Sequence, residues 1–552
     1  MKWERIAKVK RSLAREQGTI FKDWGGKLTV ALIYPNTYFV GMSSLGMQTL
    51  YRHLNERPDI VCERVFLQEA EPISWESQRR LTDFDLLAFT LSFELDYFHV
   101  VQMLRQAGVP PLSADRSRQS PLLIAGGPAV SANPEPVAAI FDAIAIGEAE
   151  EVIGPLVDRC QSDLGRREAI LASWAAVPGV YVPAIAASDT TAAQPTRRQY
   201  VQDLSRFATH STVLTPDTEF GNLYLIEIAR GCGRGCRFCL AGYQYRPPRE
   251  RHLDTLLQQA REGLKHRRRI GLVSAAVSDF SRIDDLAAHL RSLGALMSVS
   301  SLRADSLTET LVRALSESGA RTLTIAPEAG CDRLRRTINK PQSEQALLQA
   351  VKWAAAYDFP QLKLYFMLGH PDENDQDVSE LVDLVLEARR RFPRRLTINL
   401  TPFVPKAHTP FQWAAMAPAA KIGARQSHVR RQLGRKGVII KSDSPAWAEV
   451  QGVLARGDRR IARVLLEMTV LSLAEWRRGL RECGVSAEDY LRSRELSEPL
   501  PWSVVDTGTT EAYLRREWQL SRLNRVGHAC PPENRGCDAC GVCEHVQLPS
   551  ES

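Results

Sequence analysis

Residues Glu227-Ile-Ala-Arg-Gly-Cys232-Gly-Arg-Gly-Cys236-Arg-Phe-Cys239 place three cysteines in a CxxxCxxC spacing directly after the strand-like run LYLIEIA that begins at Leu223. Such spacing gathers three thiolates within one loop, and Gly231, Gly233 and Gly235 let the backbone wrap closely around a bulky inorganic cluster. A 4Fe-4S cluster held by three thiolates keeps one iron without a protein ligand, free to chelate a small molecule. A structural zinc site is the other candidate, but it ordinarily takes a fourth ligand, and the loop has none beside it. Arg230, Arg234 and Arg237 argue against a plain buried-core segment, because unpaired charges are rarely buried.

Outward from this loop, strand-like and helix-like segments alternate. After Leu223 the strands are read at Ile270 to Ala275, Leu296 to Ser300, Thr322 to Ala326, Leu362 to Leu368 and Leu396 to Leu400. Helical periodicity marks Leu253 to His266, Leu307 to Ser318 and Gln342 to Tyr357. Six βα repeats predict an open, partial TIM-like barrel over residues 221–412, with chemistry at the carboxyl ends of its strands. Upstream, Lys27 to Tyr34, Phe84 to Ser92, Pro121 to Ala125 and Ala143 to Ile146 alternate with helical stretches, which predicts a doubly wound parallel α/β sheet over residues 28–165. A basic leader helix (1–27), a linker or hairpin (166–220), a mostly helical basic region (413–500) and a Cys-rich tail (501–552) complete the expected organisation.

The chain has 552 residues, too many for one core. Its 44% hydrophobic and 24% charged residues suit a water-soluble protein, and no apolar run reaches membrane-spanning length. With no secretory leader, a cytoplasmic location is expected. There, eleven cysteines are unlikely disulfide partners. Cys62, Cys160, Cys331 and Cys483 read as packed residues. Cys530, Cys537, Cys540 and Cys543 form a second cluster in a stretch too polar to fold alone, so zinc or an auxiliary 4Fe-4S cluster is expected to stabilise it; His528 or His545 is an alternative ligand. The net charge of +7 is small, but basic residues concentrate between Lys421 and Arg481. That segment reads either as a solvated helical face or as a wall for a polyanion such as RNA.

The loop, its Phe238 before the third cysteine, and the barrel it opens resemble the radical S-adenosylmethionine (SAM) superfamily over Leu223 to about Trp413. The resemblance implies a 4Fe-4S cluster on Cys232, Cys236 and Cys239, reductive cleavage of SAM, and a reducing partner such as flavodoxin or ferredoxin. It implies SAM contacts from Ser274, Ser278 and Asp279, which stand where the superfamily has a GGE-like element that this chain lacks. Ser300, Arg303 and Glu328 follow on the third and fourth strands, and Gly369 lies in an adenine-side turn. An α/β domain ahead of such a barrel resembles the cobalamin-binding domain of cobalamin-dependent members. On that resemblance Asn36, Tyr38, Gly41, Ser92, Gly126 and Gly127 are cobalamin-side residues. Ser131, Asn133 and Pro134-Glu135-Pro136 join the nucleotide-tail pocket, and Tyr38 replaces the cobalt-ligating histidine. Phe403 to Trp413 also resembles tRNA methylthiotransferases, and with the tail it resembles an uncharacterised family of cobalamin-domain radical proteins. The function expected first is cobalamin-dependent methylation of an unactivated carbon. Cobalamin-independent, methylthiolation-like modification of RNA is the second reading. A non-catalytic, metal-stabilised RNA-binding or assembly protein is the third.

Overall fold

A computed structural model describes residues 2–163, 165–188, 194–531 and 537–543. It divides into two compact units: Met1–Asn222 with Val453–Tyr490 and Pro499–Gly508, and Leu223–Gly452 with Leu491–Glu498 and Thr509–Ser552.

The first unit is built on β1 (Leu28–Tyr34), β2 (Ile60–Phe66), β3 (Leu86–Thr90), β4 (Leu122–Gly126), β5 (Ala143–Ala145) and β6 (Val180–Tyr181). Their spatial order is β2-β1-β3-β4-β5-β6. The first five strands run parallel and β6 closes the edge antiparallel. Every residue of β1, β2 and β3 is buried, as expected of parallel strands covered on both faces. The run from Ile60, IVCERVF, escapes a hydrophobicity reading because Glu63 and Arg64 interrupt it. Both charges are satisfied internally: Arg64 lies between Glu16 (2.7 Å) and Glu76 (2.6 Å), and Glu63 accepts from Trp24 and Ser77. The segment 166–220, expected to be a linker or hairpin, contains the helix Arg167–Ala175, strand β6, and Thr196–Arg197, which pairs with Val505–Asp506. Residues 189–193 of that stretch lie outside the described ones.

The second unit has β7 (Leu223–Glu227), β8 (Arg269–Val273), β9 (Leu296–Ser298), β10 (Thr322–Glu328), β11 (Gln361–Leu368), β12 (Arg395–Pro402) and β13 (Val438–Ser442). The first three pair in the order β9-β8-β7 and the last four in the order β10-β11-β12-β13. All these pairings are parallel, and a parallel bridge between Leu302 and Ile325 joins the two sets. The six expected strands are present, and β13 adds a seventh inside a region expected to be helical. In β11 the burial alternates: Leu362, Leu364, Phe366 and Leu368 are buried, while Lys363, Tyr365 and Met367 are half-exposed on the other face. Helices fill the crossovers, and Asn374 caps the longest, Asp375–Arg391, through a reciprocal pair with Asp377.

The basic segment Lys421 to Arg481 is divided between the two units at Val453. Many of its arginines are spent internally: Arg425 on Glu373, Arg459 on Glu135, Arg460 on Asp458, and Arg478 on Glu475 and Glu482. Lys421, Arg430, Arg431, Arg435 and Lys436 remain exposed on the helix Ala419–Leu433 and the turn after it.

Candidate functional site: a cysteine loop at the mouth of the barrel

Strand β7 delivers the cysteine loop, and Ala229–Arg230 is pinned by antiparallel pairing with Arg249–Glu250. Gly231 has φ +84°, and a Cβ there would stand 2.2 Å from the Tyr245 carbonyl oxygen, so only glycine fits. Cys236 is buried, while Cys232 and Cys239 are partly so. The three thiols act on one another electrostatically: Cys236 raises Cys232, and Cys236 and Cys232 raise Cys239. Burial pushes the Cys239 thiol up to about 12 and raises that of Cys232, so neither holds charge without a compensating cation. Two protein cations are near: Arg303 Nη1 approaches Cys236 Sγ at 3.6 Å, and Lys340 draws the Cys239 thiol back down. Among the described residues, no group of three or more His, Cys, Asp or Glu already stands around a single ion's position. The donor set of three thiols in one glycine-shaped loop suits a cubane, which takes one thiolate per iron corner and supplies the missing positive charge.

The loop's arginines are structural, and one departs from expectation. Arg237 is fully buried, yet it is paired: it donates to Glu517 at 3.0 Å and to the carbonyls of Thr337 (2.8 Å) and Arg525 (2.8 Å). Arg230 grips Glu227, and Arg234 makes a two-pronged contact with Asp279 at 2.7 and 2.8 Å.

The residues expected around SAM sort into two groups. Ser278 is buried and accepts from Ser306 Oγ at 2.9 Å, next to the Arg303 amide. Ser274 follows β8, where its hydroxyl accepts from Ala276 N–H. Glu328 ends β10 in the left-handed region (φ +68°) and pairs with Lys340 at 2.9 Å. Gly369, φ +92°, follows β11 and donates its N–H to Glu373 at 2.7 Å. By contrast Asp279 is engaged by the loop's own Arg234 instead of standing free for an amino group. Arg303 is gripped by Asp305 while it faces the Cys236 thiol, and Ser300 is exposed.

Sequence reasoning missed His370. It is buried, its ring lies 6.2 Å from Phe238 and 5.6 Å from Phe403, and neither ring nitrogen has a hydrogen-bond partner of ordinary geometry. It also missed the half-exposed face of β11 and β12, where Tyr365 stands in register with Asn399 and Lys363 lies over the Tyr365 ring at 4.8 Å. No motif marks these residues; only strand register brings them together.

Residues 226–385 match the family model described as the radical SAM superfamily, and residues 46–183 match the one described as radical SAM proteins, N-terminal. An uncharacterised protein of Methanocaldococcus jannaschii is 32% identical over 79% of this chain and 90% of its own length. The chain belongs to the radical SAM superfamily. Radical SAM proteins carry a 4Fe-4S cluster and SAM and need a source of electrons, so this chain is an enzyme with those cofactors. A tRNA-2-methylthio-N(6)-dimethylallyladenosine synthase of Pseudothermotoga lettingae is 26% identical over 35% of this chain, which spans 47% of that enzyme. The cobalamin-dependent SAM radical enzyme OxsB, with aqua-cobalamin and SAM bound, aligns over 90% of this chain and 79% of its own at 13% identity and a TM-score of 0.51. A second OxsB structure aligns over 65% of this chain and 52% of its own. The first of these two OxsB structures shares the fold. No helix among the described residues is long and apolar enough to cross a membrane.

The amino-terminal residues expected on the cobalamin side also divide. Strand order 2-1-3-4-5 puts the topological switch point between β1 and β3, the place where sheets of this order bind ligands beyond the strands' carboxyl ends. Asn36 and Ser92 follow those strands, and Asn36 Nδ2 is held by Asp96 at 2.8 Å. Gly126 ends β4 with room for a larger group. Gly41 and Gly127 answer to packing instead: a Cβ would stand 2.4 Å from the Phe66 ring at the first and 2.6 Å from the Leu91 carbonyl at the second. Asn133 and Glu135 are also engaged elsewhere, Asn133 by the carbonyls of Ala455 and Gly457 and Glu135 by Arg459. Tyr38 turns inward, stacked on Trp75 at 5.0 Å with its hydroxyl on Glu16 at 2.5 Å.

Proposed function

We propose that this radical SAM enzyme binds cobalamin in its amino-terminal unit and transfers a methyl group to an unactivated carbon. The observation that carries the reading is the apolar rim at the carboxyl ends of β1 and β3. Phe39 and Val40, which follow β1, and Phe93, which follows β3, are 46%, 39% and 43% exposed. Exposed aromatic and aliphatic side chains at such a switch point suit a large, flat, partly apolar ligand. Asn36, Ser92 and Gly126 supply polar contacts and backbone access, whereas Tyr38 offers no cobalt ligand because Glu16 and Trp75 hold it. Bound cobalamin would supply a transferable methyl group; the chain's own part is to hold it and exclude water.

In the barrel, Cys232, Cys236 and Cys239 would hold the cluster, with Arg303 and Lys340 balancing thiolate charge. Ser274, Ser278, Glu328 and the Gly369 turn bound the space for SAM, and Lys363, Tyr365 and Asn399 are the polar residues available to a substrate. The exposed patch of Lys421, Arg430, Arg431, Arg435 and Lys436 favours a polyanionic substrate, RNA first. The test is binding of cobalamin to anaerobically purified protein. Wild type is expected to retain about one cobalamin per chain, with no axial-nitrogen splitting in the cob(II)alamin electron paramagnetic resonance (EPR) spectrum. Phe39→Asp with Phe93→Asp should lose it while keeping its iron. Equal retention by that variant would contradict the site.

A further inference from the structure

The first of the carboxyl-terminal cysteines, Cys530, is docked on the first cysteine loop. Cys530 N–H donates to the Gly233 carbonyl at 2.7 Å, and a Cβ on Gly233 would meet Cys530 Cβ at 3.0 Å. Gly233 lies between the ligands Cys232 and Cys236, so its lack of a side chain is what lets Cys530 approach. Asn339 reinforces the contact, accepting from Gly527 N–H at 2.9 Å and donating to the Gly235 carbonyl at 2.9 Å. Arg237, the residue after Cys236, reaches through the same joint to Glu517 and the Arg525 carbonyl. Further along, Thr510 N–H donates to the Cys540 carbonyl at 2.9 Å, and Cys540 and Val542 are buried. Cys530 lies within electrostatic reach of Cys537, Cys540 and Cys543, and Arg246 stands beside them with its guanidinium over the Tyr243 and Tyr513 rings at 4.6 and 5.2 Å.

We propose that Cys530, Cys537, Cys540 and Cys543 hold a second 4Fe-4S cluster, seated directly against the loop that holds the first. Four thiolates complete a cubane, and the CxxCxxC run with one remote cysteine followed by Pro531 has the iron–sulfur spacing rather than the paired spacing of zinc. A closed cubane has no open iron, so this centre does not bind SAM. Arg246 offsets part of its negative charge, and the backbone clamp at Gly233 makes the position of one cluster depend on the other. This inference rests on the reading of Cys232, Cys236 and Cys239 as cluster ligands.

The experiment is anaerobic reconstitution of the full chain with iron and sulfide, followed by metal analysis, Mössbauer spectroscopy and EPR of the dithionite-reduced protein. Wild type should hold about eight irons per chain. The triple variant Cys232→Ala, Cys236→Ala, Cys239→Ala should keep about four as a cubane that SAM does not perturb. Cys540→Ser with Cys543→Ser should keep the other four, perturbed by SAM. Because the clusters adjoin, reduced wild type should show spin–spin broadening that each variant lacks. Zinc at one per chain in wild type, or a triple variant without iron, would overturn the second cluster. Eight irons without spin coupling would overturn its docking. A tail variant that fails to fold leaves the triple variant to decide. If the triple variant and wild type bind the same iron, the first-loop reading fails instead, so the two failures are distinct.

Discussion

At the residue scale the cysteine loop is set by side chains that are absent as much as by those present. Gly231→Ala would put a methyl group into the Tyr245 carbonyl in a left-handed conformation, at a cost of about 1–3 kcal/mol. Lowered thermal stability and reduced iron uptake are the expected outcome; unchanged iron loading would show that the loop relaxes. His370 gives a pH dependence. Burial lowers its imidazole from the usual value near 6.5 to about 4, so the folded chain holds it neutral while the unfolded chain takes up a proton. Unfolding therefore binds protons between those values, and stability falls as pH drops from 6.5 towards 4, by at most about 3 kcal/mol. Denaturant titrations of metal-free protein across that range should show the loss, and His370→Phe should flatten it. A variant with the same pH slope would place the acid sensitivity elsewhere.

At the element scale, the ion pair of Arg237 with Glu517 ties the cysteine loop to the helix Glu511–Arg522. Both side chains are buried, so Glu517→Ala leaves an uncompensated guanidinium and should cost about 3–5 kcal/mol, read as a fall in the denaturation midpoint. Glu517→Ala that unfolds like wild type would mean the loop and helix are held by the Cys530 clamp alone. The sequence allowed the barrel to be read because β7 to β12 are apolar runs between amphipathic helices. Strand β13 was hidden because VIIKS is short and lies within a basic, helix-rich stretch. Strand β2 was hidden because Glu63 and Arg64 are buried by pairing, which no hydropathy pattern announces. Long-range partners were equally illegible: the arginines beside the cysteines argued against a buried-core segment, whereas Arg237 is buried against a residue 280 positions away. Asp279 and Arg303 were legible as polar residues at strand ends, but not their engagement by Arg234 and Asp305.

At the scale of the whole molecule, the chain combines a unit built on a doubly wound sheet with a unit built on seven parallel strands in two sheets joined by the Leu302–Ile325 bridge. The superfamily reading rests on a thirteen-residue motif and its strand, which is why one loop decided so much. Substrate identity is written in no motif; it depends on surfaces such as the Ala419–Leu433 patch. If RNA is the substrate, reversing Lys421, Arg430, Arg431 and Lys436 to Glu should weaken RNA binding at least tenfold and flatten its salt dependence, because each phosphate contact releases counterions. Unaltered affinity would assign the patch to solvent and turn the search to small molecules or peptides. The most direct test of the central claim is production of 5′-deoxyadenosine from SAM by reduced, reconstituted protein. Wild type should release it, with Cys232→Ala, Cys236→Ala and Cys239→Ala each at background. Undiminished release by any one of the three variants would contradict the assignment of the loop as the cluster that cleaves SAM.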